Sequence, residues 1–142
     1  VRDDVSAERF WEMVDAIEVP FLVTVGTEGY PRARPMILLA REGAILWFAT
    51  SRSSRKVAEI QSNPRVTVLS VDRAGFSHAS LCGRAEVVAE PEKKERFWRE
   101  EWREEWPKGS SDPDYVLLRV KAERGASYCG DANESSELDL CS

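Results

Sequence analysis

Residues 50–56, Thr-Ser-Arg-Ser-Ser-Arg-Lys, set hydroxyls and cations side by side where an apolar run, 44–49, gives way to a helical pattern carried by Val57, Ala58 and Ile60. The first turn of a helix leaves backbone N–H groups without internal partners, and its dipole favours negative charge there. Thr50, Ser51 and Ser54 add hydroxyl donors, and Arg55 and Lys56 add full charges. The chemistry that fits is the binding of an anion such as phosphate. A solvated basic loop has the same composition. The anion site is favoured by the interleaving of hydroxyls and cations at a helix start, and by Arg34 in the preceding strand-like run, which must meet either solvent or an anion.

No other motif competes for this role. The chain has no GxxxxGK[ST] loop, no GxGxxG turn and no GxSxG elbow. Its single histidine, His78, rules out a multi-histidine metal site within one chain, and no metal is expected. His78 shares a strand face with Ser80 and reads either as a structural histidine or as a ligand contact. Glu100, Glu101, Glu104 and Glu105 read as the wet face of a charged helix.

The elements that position these residues follow from periodicity and turn chemistry. Ser6 caps a helix over about 7–18 whose apolar face is Phe10, Trp11, Val14 and Ile17, and Pro20 ends it. Strands at 21–26, 31–40 and 44–49, joined at Thr27-Glu28-Gly29 and Glu42-Gly43, predict an antiparallel meander. Pro31 and Pro35 mark an edge, or a place where a ligand meets the backbone. A short helix over 54–62 stops at Asn63-Pro64, and a strand at 65–72 follows. The strand at 78–89 carries Gly83, which hints at a bulge. Its Cys82 reads as a small buried residue.

A helix over 91–105 bears an aromatic stripe of Phe97, Trp98 and Trp102. After a loop at 106–113 comes a strand at 115–121, extended at 126–129 past a bulge at Arg124-Gly125. From Gly130 the chain is polar and acidic and reads as a mobile tail, giving a domain at 1–129 and a tail at 130–142. Strand and helix do not alternate, so a small, mainly antiparallel β-barrel with flanking helices, in a single domain, is expected rather than a doubly wound fold.

The totals agree with one domain. The chain has 142 residues, 42% of them hydrophobic, and a formal charge of −5, which speaks against a general nucleic-acid binder. No apolar run is long enough to span a bilayer, so no membrane partner is expected. The start at Val1 lacks a signal-like segment, so a cytoplasmic setting is expected. Cys82, Cys129 and Cys141 match no zinc spacing and are expected as reduced thiols.

Several short pieces, in order, carry a resemblance. They are Arg34-Pro35-Met36, Trp47-Phe48-Ala49-Thr50, Ser54-Arg55-Lys56, Asn63-Pro64-Arg65-Val66, the run 83–88, and Trp106-Pro107-Lys108-Gly109 with Asp112-Pro113 and Leu117-Leu118-Arg119-Val120. Together they resemble the pyridoxamine 5′-phosphate oxidase-like, FMN-binding split-barrel family, in particular its general-stress-protein branch. The resemblance implies a split β-barrel homodimer with FMN at the subunit interface. It implies that Arg55 and Lys56, helped by Thr50 and Ser51, hold the phosphate, with Ala49 and Ser54 also among the cofactor-binding residues. Arg34 and the backbone of Pro35, Met36 and Ile37 would face the ribityl chain and ring. His78 would lie near the flavin, and Trp106 or its loop would come across from the other subunit.

Two departures matter. Leu39 stands where the oxidases carry lysine, and their basic C-terminal segment is missing, so vitamin B6 oxidation is not expected. The function implied is an FMN-dependent oxidoreductase on an unidentified small molecule. The alternatives are a non-catalytic flavin-binding stress-response protein and an F420-dependent reductase of the same fold.

Overall fold

A computed structural model describes residues 2–130 and 134–141, apart from the side chains of residues 2–5. Eight strands join one antiparallel sheet: β1 (Phe21–Val25), β2 (Pro31–Pro35), β3 (Ala40–Glu42), β4 (Ile45–Ser51), β5 (Arg65–Asp72), β6 (Ser77–Val88), β7 (Tyr115–Cys129) and β8 (Glu134–Asp139). Their order is β2-β1-β5-β6-β7-β4-β3, with β8 also on β7. Three α-helices flank the sheet: α1 (Arg2–Asp15), α2 (Arg55–Ser62) and α3 (Pro91–Phe97). The architecture is mainly antiparallel β in a single domain.

The core lies between the sheet and the first two helices. Alternation in β5 and β6 turns Val66, Val68, Ala79, Leu81 and Ala85 inward, onto Phe10 and Val14 of α1 and Val57 and Ile60 of α2. Burial of each large side chain here contributes about 1.5–3 kcal/mol. A second, aromatic cluster holds Trp47, Trp106, Tyr115 and Leu117, with Phe97, Trp98 and Trp102 packed against it. The aromatic stripe therefore packs on the body of the protein.

Gly83 marks the bulge. Cys82 pairs with Arg124 and Gly83 with Ala122, so Glu123 is the extra residue of β7. A Cβ at position 83 would lie 2.1 Å from the Lys121 carbonyl oxygen, which only glycine avoids. The irregularity falls at Glu123, and β7 runs unbroken through Arg124 and Gly125.

Several sequence expectations are corrected. The 31–40 strand is broken: β2 ends at Pro35 and β3 starts at Ala40. Residues 36–39 cross instead between elements, with amides bonded to Pro20, Glu18 and Trp47 carbonyls. The three-strand meander is thus two hairpins, β1–β2 and β3–β4, at opposite ends of the sheet order. The prolines sit on the outermost strand β2, where missing N–H donors cost no ladder bond. The first helix ends at Asp15 rather than near residue 18.

The 91–105 helix stops at Phe97, because Trp98 turns extended (φ −60°, ψ 138°). A short 3₁₀ turn, Glu100–Trp102, then lets Trp98 and Trp102 both reach Tyr115. Cys82 is exposed, because its side chain falls on the outer face of β6. All three cysteines are free.

The acidic end is no tail over 134–139. It forms β8 against Arg124–Cys129, and Leu140 is buried on the core. Residues 131–133 lie outside the described residues.

Candidate functional site

β4 delivers Thr50 and Ser51 to the start of α2, so hydroxyls and cations meet there. Thr50 is buried because β4 pairs with β7 at Thr50↔Val116. Lys56 Nζ donates to Thr50 Oγ1 at 2.9 Å, and Ser54 Oγ lies 3.4 Å from the same oxygen. Ser54 is the N-cap residue, yet its hydroxyl does not cap, and the first turn of α2 has no acidic residue. Burial, then the nearby Arg34 charge, lower the Lys56 pKa. Lys56 is a half-buried cation with no carboxylate partner among the described residues. Arg55 is exposed and has no ion-pair partner among them.

The loop before the helix is tied down. Asp114 accepts from the Ser53 amide at 2.9 Å and the Ser53 hydroxyl at 3.2 Å, and the amide bond foremost lowers its pKa. Ser51 Oγ accepts from Trp106 Nε1 at 3.0 Å.

Arg34 finds its anion inside the protein. Leu22↔Arg34 pairing in the β1–β2 hairpin sets its guanidinium beside α2. Nη1 donates to the Leu22 carbonyl at 3.2 Å and to Thr24 Oγ1 at 2.8 Å, and Nη2 donates to Glu59 Oε1 at 3.3 Å. Thr24 Oγ1 in turn donates to Glu59 Oε1 at 2.7 Å, and Arg32 Nε lies 3.1 Å from Glu59 Oε2. Glu59 is 3% exposed. Burial pushes its pKa up, but the Thr24 hydroxyl and the two guanidinium charges outweigh it and hold the carboxylate ionised, below the usual range.

A mostly apolar cavity of about 450 Å³ lies next to this polar end, reached through Pro35 beside Arg34 and Ala49 beside Thr50. Pro35, Met36, Ile37, Leu39 and Ala49 line one side, Trp102 and Trp106 another, and Glu101, Glu104 and Glu105 the rest. Its position follows from the broken strand: past Pro35 the chain leaves β2, and Met36, Ile37 and Leu39 of the crossing segment line the cavity. Trp106 lines the cavity of its own chain, 6% exposed and anchored on Ser51.

The structure therefore brings together Arg34, Thr50, Ser54, Lys56 and, next to them, Ser51, Pro35, Met36, Ile37, Ala49 and Trp106. Arg55 borders the group from the surface. His78 does not join it within the chain. It lies in a separate cavity of about 620 Å³ with Leu69, Val71, Phe76 and Tyr128, its ring stacked on Tyr128 at 6.1 Å. Among the described residues, no group of three or more His, Cys, Asp or Glu could hold a metal ion, and no helix is long and apolar enough to cross a membrane.

The family model for pyridoxamine 5′-phosphate oxidase like proteins matches residues 5–138, almost the whole described sheet. The chain belongs to that family. It is 30% identical over 119 residues to General stress protein 26 of Bacillus subtilis (strain 168), covering 82% of this chain and 83% of that protein. A crystal structure from Clostridium acetobutylicum, a protein related to general stress protein 26, superposes with a TM-score of 0.78 at 28% identity, over 90% of this chain and 89% of that one. General Stress Protein 26 from Bacillus anthracis str. Sterne superposes with a TM-score of 0.73 at 26% identity, over 92% of this chain and 97% of that one. The antiparallel sheet is accordingly a split barrel of this family.

Glu59 and Thr24 escaped sequence reasoning. Helical spacing puts Glu59 next to buried Val57 and Ile60, where a carboxylate reads as a boundary residue. The available signal was on the other partner: Arg32 and Arg34, two apart on one strand, share a face and require an anion between them.

Proposed function

We propose that the chain is an FMN-binding flavoprotein of the family, working as a homodimer and serving as an oxidoreductase on a small molecule. The observation that carries this reading is Lys56, a half-buried cation without a carboxylate partner among the described residues, placed with two hydroxyls at a helix start near a mostly apolar cavity. The donor set fits a phosphate monoester: Lys56, Arg55, Arg34, the Thr50 and Ser54 hydroxyls, and the first amides of α2. The cavity, walled by Pro35, Met36 and Ile37 on one side and Trp102 and Trp106 on another, suits a flat ring. In this reading FMN supplies the redox chemistry, and the protein supplies the phosphate grip, the slot and the exclusion of water.

Exposed apolar residues support the dimer. Val19, Phe21, Ile37 and Phe76 are 41–80% exposed, and Ile37 is also part of the cavity wall. Phe21 neighbours Leu69 of the His78 cavity across β1–β5. A second copy seated on this surface would cover the cavity edge and bring its own His78 towards the partner's flavin.

The absorption spectrum of the purified protein tests the cofactor. A flavin spectrum, with FMN released on heating, is expected as isolated or after adding FMN. A colourless protein that ignores FMN overturns the reading, and binding of F420 by that protein would favour the deazaflavin alternative. A yellow protein whose flavin NADH and NADPH never reduce would favour a flavin-binding role without turnover.

A further inference from the structure

Arginine carries five N–H donors in a planar fork. In Arg34 both Nη1 donors are spent, on the Leu22 carbonyl and Thr24 Oγ1, and one Nη2 donor goes to Glu59. Nε–H and the second Nη2 donor have no partner among the described residues, and the guanidinium sits near enough to Lys56 to lower its pKa. The side chain that fixes this arrangement is Glu59. It reaches from α2, the same helix whose first turn carries Arg55 and Lys56, to the β1–β2 hairpin. One carboxylate therefore ties the arginine on the sheet to the helix start.

We infer that Glu59 is a positioning residue that makes the site discriminate a phosphorylated ligand from its unphosphorylated form. With Thr24 it holds the Arg34 fork against α2, the helix that carries Lys56, with two of its donors unspent. The inference rests on the FMN reading and deepens it. Glu59 does not touch the ligand. It also offsets part of the charge of Arg32 and Arg34, so the cluster can be built in the unliganded protein without three bare cations repelling one another.

Positioning and simple charge balance give opposite signs. If Glu59 acted only as a nearby negative charge, its removal would strengthen phosphate binding. If it positions Arg34, its removal weakens phosphate binding, because the freed fork must be re-ordered when the ligand arrives.

The test is fluorescence titration of the full chain with FMN and with riboflavin, in the wild type, Glu59→Gln, Arg34→Ala and the double variant. Glutamine keeps the shape and an acceptor for Thr24. Glu59→Gln is expected to weaken FMN roughly ten- to a hundredfold with riboflavin affinity unchanged, so the FMN-to-riboflavin ratio collapses. In the Arg34→Ala background it should lower that ratio no further.

An unchanged or increased ratio overturns the inference, as do equal losses for both flavins or effects of the two substitutions that simply multiply. Should Glu59→Gln fail to fold, Thr24→Val removes the hydroxyl that bridges Arg34 and Glu59, and a smaller drop in the same ratio is then required. A wild type that binds neither flavin overturns both the cofactor reading and this inference. A wild type that binds FMN, with variants of unaltered ratio, overturns this inference alone.

Discussion

Replacing Lys56 by methionine should move function and stability in opposite directions. The ammonium is half-buried and donates to Thr50 Oγ1 at 2.9 Å, with Arg34 as a like charge nearby. A charge-assisted contact to phosphate is worth about 1.5–3 kcal/mol, so Lys56→Met should weaken FMN roughly ten- to a hundredfold. Arg55→Ala should cost about 1 kcal/mol or less, because an exposed, screened cation contributes little. The pair is therefore unequal, with Lys56 dominant.

In the cofactor-free protein the sign reverses. Burial and Arg34 lower the Lys56 pKa below its ordinary 10.5, so the unfolded chain binds this proton more tightly than the folded one. Stability rises with pH between the lowered and ordinary values, and below that window the charged lysine opposes folding. Methionine removes the charge at the loss of one hydrogen bond to Thr50, so the apo melting temperature should hold or rise. FMN affinity of the wild type should fall as pH climbs through the lowered pKa. The assays are flavin fluorescence titration across pH and thermal melting of apo protein. Unchanged FMN affinity in Lys56→Met, or an apo melt several degrees lower, would refute the assignment of Lys56 as the uncompensated phosphate cation.

Other substitutions probe other links. Gly83→Ala puts a Cβ 2.1 Å from the Lys121 carbonyl oxygen, forcing β6 and β7 apart, and urea unfolding should show a loss of about 2–4 kcal/mol. Trp106→Phe removes the donor to Ser51 and leaves a gap in the aromatic cluster, so urea unfolding should show a loss of about 1–3 kcal/mol. Phe21→Asp with Phe76→Asp places charges on the exposed apolar surface, and on the proposed homodimer sedimentation should report a shift to monomer relative to the parent. The Asp114 pKa is lowered chiefly by the Ser53 amide, so its stabilising effect is present above the ordinary carboxylate range and lost as pH falls through the lowered value. Asp114→Asn should flatten that part of the acid-unfolding profile.

Much of the fold was legible because its signals are local. Alternation marked β5 and β6, the glycine inside β6 marked the bulge, and the prolines marked the outermost strand β2. The failures share a cause, since each was decided by a distant partner. Residues 36–39 are as apolar as a strand, but their amides bond to Pro20, Glu18 and Trp47 carbonyls. Residues 98–102 carry the helix-forming Arg99, Glu100 and Glu101, yet three aromatic side chains around Tyr115 dictate the path there. The acidic segment 134–139 has no hydrophobic run and still pairs with β7, because the edge of Arg124–Cys129 offers it a ladder and the core offers Leu140 a place.

The same distinction explains the candidate site. Thr50, Ser54, Arg55 and Lys56 lie within one turn of chain, so spacing alone could gather them. Arg34 announced only a need for an anion, and that need has two answers in one place. Glu59 satisfies part of the guanidinium from within, which lets the arginine be buried without a ligand. The rest of the fork and the unmatched charge of Lys56 stay open to an incoming dianion. A site satisfied wholly by Glu59 would be a structural ion pair. A site with no Glu59 would leave three cations to repel one another beside α2. The partial match is what makes a reversible phosphate grip physically reasonable, and it depends on Glu59, a residue that no local pattern singles out.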